Sequence, residues 1–150
     1  MNSILRNILA IVAGLVVGSV VNMALVMASP RVIPPPAGVD VSNVESLRAS
    51  IHLFEPKHFV FPFLAHALGT LAGALTAFLV AASHRTTFAF AIGAVFLAGG
   101  IAAATMIPAP VWFIVLDLVA AYIPMAWLGG QVGRRLVRGA GSRAVGRRAA

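Results

Sequence analysis

Residues 86–116 read TTFAFAIGAVFLAGGIAAATMIPAPVWFIVL, without a single Asp, Glu, Lys or Arg. The same holds from Asn7 to Pro30, from Phe59 to Ser83 and, after a lone Asp117, from Leu118 to Gly133. Crossing about 30 Å of hydrocarbon takes roughly 20 apolar residues. Pro108 and Pro110 divide the 86–116 stretch, because proline removes a backbone donor and crowds the preceding helical turn. The reading is an all-α fold, a polytopic transmembrane four-helix bundle. Its spans run over about 4–27, 59–82, 87–107 and 111–130, with an outer loop at 28–58 and a basic tail at 131–150.

The 150 residues are 60% hydrophobic and 10% charged. Soluble domains carry about 25% charged residues, so no soluble domain fits beside four spans and the chain is one domain. The absence of cysteine excludes disulfides, Cys-zinc sites and thiol catalysis. The net charge of +7 is concentrated: Arg134, Arg135, Arg138, Arg143, Arg147 and Arg148 fall directly after the last apolar run. A basic cluster in that position meets anionic lipid and sets topology; nucleic acid is not the expected partner.

Arg6, Arg85 and the six tail arginines lie on one side of the spans; Arg31, Arg48 and Lys57 lie on the other. The positive-inside rule then puts both termini in the cytoplasm, which for a bacterial cell means the inner membrane. Trp112 and Trp127 sit near the two ends of the fourth span, about 22 Å apart along a helix axis, as two interfacial belts require. The first run is expected to be a retained helix. Cleavage after Val26-Met27-Ala28 is the alternative, but Asn22 and the length of the run fit a signal peptide poorly.

In the outer loop, Pro34-Pro35-Pro36 is stiff and extended. Ser42 followed by Glu45 reads as a capping box opening a short helix. Val44, Leu47, Ile51 and Phe54 recur at helical spacing on one face. That helix is expected to lie on the membrane surface, as a plain connector, or to fold over the mouth of the bundle as a lid. Phe54, Phe59, Phe61 and Phe63 read as an interfacial anchor.

Burial does not drive helices together in lipid; close contact does, and small residues permit it. Gly14 and Gly18 make such a stripe in the first span, and Ala65, Gly69, Gly73 and Ala77 make one in the second. The two stripes are expected to touch, within one chain or between copies in a homo-oligomer.

Asn22, His66 and Asp117 do not belong in hydrocarbon. Counted from Pro30, His58 and Pro110, each lies roughly 10–12 Å below the outer surface. Three helices therefore contribute polar groups at one level, with Thr70 one turn from His66 and Thr105 a little higher. Intramembrane carboxylates face the bundle interior and find a partner, and His66 is the expected one. The low dielectric disfavours charge while an imidazolium favours the carboxylate, which makes the pair a proton-responsive candidate. The competing reading is that these residues only hold helices together by hydrogen bonds. His52, Glu55 and His58 could add ligands from above, but one His and one Asp are too few for a metal site. No Ser, Cys or second carboxylate completes a hydrolytic set, so neither catalysis nor a cofactor is expected. Pro124, seven residues after Asp117 and near Tyr122 and Gly129-Gly130, is a static kink or a hinge.

Taken whole, the chain resembles small bacterial integral membrane proteins with four spans, a resemblance that implies architecture and no particular activity. It lacks the early intramembrane Glu of small multidrug exporters and the cysteines of mercury transporters and quinone-linked thiol oxidases. Two functions are expected to compete: binding or moving a small solute or proton at His66, Asp117 and Asn22, or serving as a non-catalytic membrane partner or assembly subunit.

Overall fold

The computed structural model describes the backbone of residues 2–149 and the side chains of residues 2–140. The side chains of Arg143, Arg147 and Arg148 lie outside the described residues. Among the described residues six α-helices follow in order, α1 (Ser3–Val32), α2 (Val44–Ser50), α3 (Val60–Val80), α4 (Arg85–Met106), α5 (Val111–Ala120) and α6 (Ile123–Ala149), with short 3-10 turns at Ile51–Leu53 and Pro56–Phe59 and no strand. Four stretches are long and apolar enough to cross a membrane: Ser3–Val32, Pro56–Val80, Arg85–Met106 and Val111–Ala140.

Three local expectations are corrected. The first helix does not stop near Met27. It runs through Pro30 to Val32, and the Arg31 guanidinium donates to the Met27 carbonyl at 3.0 Å in that last turn. The short helix is capped by Asn43 rather than Ser42. Asn43 Oδ1 accepts from the amides of Glu45 and Ser46, while the Ser42 amide and hydroxyl both turn back to Asp40. Those two donors hold the Asp40 carboxyl below the usual carboxylate range. The fourth run is not one helix kinked at Pro124. The chain breaks at Ala121–Tyr122, and Pro124 is the second residue of α6. The cause is steric: proline has no N–H and its ring crowds the carbonyl four residues back, here that of Ala120.

Packing follows the small residues. α3 is central and contacts α1, α4 and α6. The two glycine stripes face each other within the chain. A Cβ added at Gly73 would stand 2.6 Å from the Gly14 carbonyl oxygen, and one at Gly18 would stand 2.8 Å from that of Gly69. α6 approaches α3 in the same way, since a Cβ at Gly129 would meet the Leu71 carbonyl at 2.8 Å. The interior is built from Ala74, Ala77, Ala89, Ala126, Phe78 and Ile92. Large apolar side chains lie outside instead, among them Val12, Val16, Val20 and Met23 on α1 and Val111, Val115 and Val119 on α5.

The start of α1 is clasped to the end of α3. Arg6 Nε donates to the Val80 carbonyl at 2.7 Å, and Asn7 Oδ1 accepts from the Ala82 amide at 2.9 Å. The turn into α4 passes through His84 at φ +47°, a left-handed conformation that histidine tolerates better than most residues. At the opposite end, Arg48 Nε donates to the Met106 carbonyl at 3.1 Å and ties the α2 segment to the end of α4. Leu47, Ile51 and Phe54 are half-buried beneath that segment, whereas Val44, at its start, is exposed.

Candidate functional site

Asp117 sits two turns into α5 and is 5% exposed. α3 presents His66 to it. Nδ1 of His66 lies 2.9 Å from both carboxyl oxygens of Asp117, so one nitrogen faces the whole carboxyl edge. A third group completes the arrangement. The Tyr122 hydroxyl donates to Asp117 Oδ2 at 2.9 Å, and its ring stacks on His66 with centroids 5.7 Å apart.

Tyr122 owes this position to the helix break. Five residues along an unbroken α-helix turn the side chain about 140° away from Asp117. The break forced by Pro124 swings Tyr122 inward, where it is 2% exposed. Gly100 on α4 makes room for it: a Cβ there would overlap the Tyr122 ring and hydroxyl. Sequence reading noted Tyr122 only as a neighbour of a possible hinge. The usable signal was a single tyrosine two residues before a proline, in an apolar run that already held an aspartate.

The other predicted residues are placed differently. Thr70 is fully buried, but its hydroxyl donates to the His66 carbonyl at 2.7 Å within α3 and not to the ring. Thr105 is exposed and bonds the Ala102 carbonyl of its own helix. Asn22 packs against Gly69, where an added Cβ would meet its own Cβ at 3.1 Å. It shares a cavity wall with His66 and Thr70, yet hydrogen bonds to neither His66 nor Asp117 among the described residues. Of the expected trio, two members meet and the third stands across a gap. Arg134 is half-buried on α6, while Arg135 and Arg138 are exposed. His58 is turned to its own loop, its Nδ1 accepting from the Glu55 amide at 2.9 Å. No cluster of three or more His, Cys, Asp or Glu that could hold a metal occurs among the described residues.

Two cavities flank the site. The first, about 260 Å³, lies under the α2 segment and is lined by Ile51, Phe54, Ala104 and Phe113, with His66 and Asp117 in its wall. The second, about 290 Å³, is lined by Ser19, Asn22, Thr70, Phe96 and Tyr122, again with His66. His66 therefore borders both an apolar and a more polar space, and its side chain is 25% exposed. Its Nε2 has no protein hydrogen-bond partner among the described residues.

Tyr122→Phe removes one hydrogen bond from a buried carboxyl group. It is expected to lower stability by about 1–2 kcal/mol. Thermal unfolding in detergent micelles measures this, and an unchanged midpoint would mean that the hydroxyl contributes nothing to holding Asp117.

No protein-family model matches the chain, and neither does any curated protein or solved structure.

Proposed function

We propose that the chain is a four-span protein of the bacterial inner membrane that binds or passes a small solute or proton at His66 and Asp117. The outward placement of its large apolar side chains supports insertion: a protein surrounded by water buries such residues, whereas lipid accepts them. The arginine distribution supports cytoplasmic termini, with Arg134, Arg135, Arg138 and the following tail arginines on anionic lipid.

The observation that carries the functional reading is the division of labour within one imidazole. Asp117 engages Nδ1 and orients the ring, while the ring borders two cavities and keeps its second nitrogen free of protein partners. A histidine held in this way can take a proton from one side and release it to the other. The α2 segment over the first cavity, fixed by Arg48, then serves as a lid.

Liposomes containing the purified protein and a trapped pH-sensitive dye test this. An imposed potassium diffusion potential is expected to drive proton uptake in the wild type. His66→Gln and Asp117→Asn are expected to reduce uptake to the leak of protein-free vesicles, without loss of membrane abundance.

One observation favours the competing reading of an assembly subunit. No buried side-chain polar atom lacks a hydrogen-bond partner among the described residues, as suits groups that only join helices. Under that reading the wild type passes no protons, both variants fail to accumulate, and a partner co-purifies from native membranes.

A further inference from the structure

We infer that the first cavity is a binding site for a lipophilic carbonyl compound, an apolar body with one acceptor oxygen held by the Nε2–H of His66. The inference rests on the reading above, in that it takes the site to lie within the membrane.

A low dielectric penalises net charge heavily, and we take the His66–Asp117 pair as net-neutral on that ground. With the Tyr122 hydroxyl donating to Oδ2, two such forms exist. In one, an imidazolium donates Nδ1–H to a carboxylate. In the other, a carboxylic acid donates to Nδ1 of a neutral imidazole. They differ only in where one proton sits between Nδ1 and Asp117. In both, the second ring nitrogen carries hydrogen, so Nε2 is a donor. The Tyr122 hydroxyl, already donating to Oδ2, is compatible with either form.

His58 also lines the first cavity, but its Nδ1 is turned to its own loop, 2.9 Å from the amide and 3.2 Å from the carbonyl of Glu55, so His66 is the donor. Asp117, the remaining titratable group in the wall, has both oxygens engaged. The rest of the lining is apolar, with Ile51, Phe54, Ala104, Phe113 and Leu118 prominent. An occupant that satisfies this donor and desolvates cheaply brings an acceptor and no donor, on a hydrocarbon body. At about 30 Å³ per water-sized unit, the cavity holds on the order of ten heavy atoms.

2-Nonanone carrying a ¹³C carbonyl matches that size and chemistry, and nonane is the acceptor-free control. With the full-length protein in lipid nanodiscs, infrared spectroscopy is expected to show a second, saturable carbonyl band at lower frequency, absent from empty nanodiscs. Nonane is expected to compete about tenfold more weakly. His66→Phe keeps a ring in place but removes the N–H, and is expected to abolish the shifted band. Ala104→Phe fills the cavity from α4 and is expected to abolish saturable binding. The proposal is overturned by wild-type protein that shows no saturable band, by equal affinity for ketone and alkane, or by a shifted band that persists in His66→Phe. The two readings fail separately. Proton uptake without a carbonyl band removes the ligand class alone, whereas a carbonyl band without proton uptake removes proton passage and keeps the binding site.

Discussion

His66→Leu is expected to destabilise the protein by about 3 kcal/mol, and His66→Leu with Asp117→Leu to recover most of that loss. The single substitution leaves Asp117, 5% exposed, with only the Tyr122 hydroxyl as partner. Breaking a buried pair by removing one member typically costs about 3–5 kcal/mol, because the other stays desolvated and uncompensated. The partial exposure of His66 places the expectation at the lower end of that range. Replacing both members by apolar residues removes the desolvation cost together with the attraction, and such exchanges are often neutral or stabilising. Reversible unfolding of the wild type, His66→Leu, Asp117→Leu and the double variant in detergent gives the coupling energy directly. A double variant as unstable as the single one would show that the polar pair itself holds α3 to α5. Under the proposed function, a stable double variant that passes no protons would separate proton passage from packing.

Gly73→Val is expected to separate α1 from α3 and to cost more than about 3 kcal/mol. A Cβ at this position would lie 2.6 Å from the Gly14 carbonyl oxygen and 3.1 Å from Ile92 Cγ2, so backbone rather than a flexible side chain must yield. Overpacking in rigid interiors costs about 1–3 kcal/mol, and more when backbone has to shift. In lipid the loss is compounded, since close approach is what joins apolar helices. Gly99 is the matching control. A Cβ there meets nothing, and Gly99→Ala is expected to leave stability unchanged or raise it by up to about 1 kcal/mol, the difference in helix propensity. Proteolysis of the loop after α1, followed by testing whether the helix stays bound, reads the same effect structurally. If Gly73→Val melts like the parent, the glycine contact is not what joins these helices.

Much of this architecture was legible in advance because its signals are local. A run without charge is either long enough to cross hydrocarbon or it is not, and four such runs correspond to four helical stretches. Glycines four residues apart lie on one helical face whatever surrounds them, so the stripes of Gly14 and Gly18 and of Gly69 and Gly73 followed from spacing alone, while their meeting within one chain came from the fold. Equal depth also placed His66 and Asp117 at one level. Asn22 stood at that level too, yet it faces a gap instead of the pair, because level constrains height and leaves rotation about the helix axis free.

The chain by itself determined its apolar runs, its glycine stripes and an Asp and a His at matching height. Only the tertiary structure decided that Tyr122 is the third member of the group. Its hydroxyl reaches Asp117 because Pro124 denies Ala120 its helical partner and Gly100, on another helix, leaves space for the ring. That outcome depends on a broken helix meeting an absent side chain across the interior, a coincidence in space that no periodicity along one segment encodes.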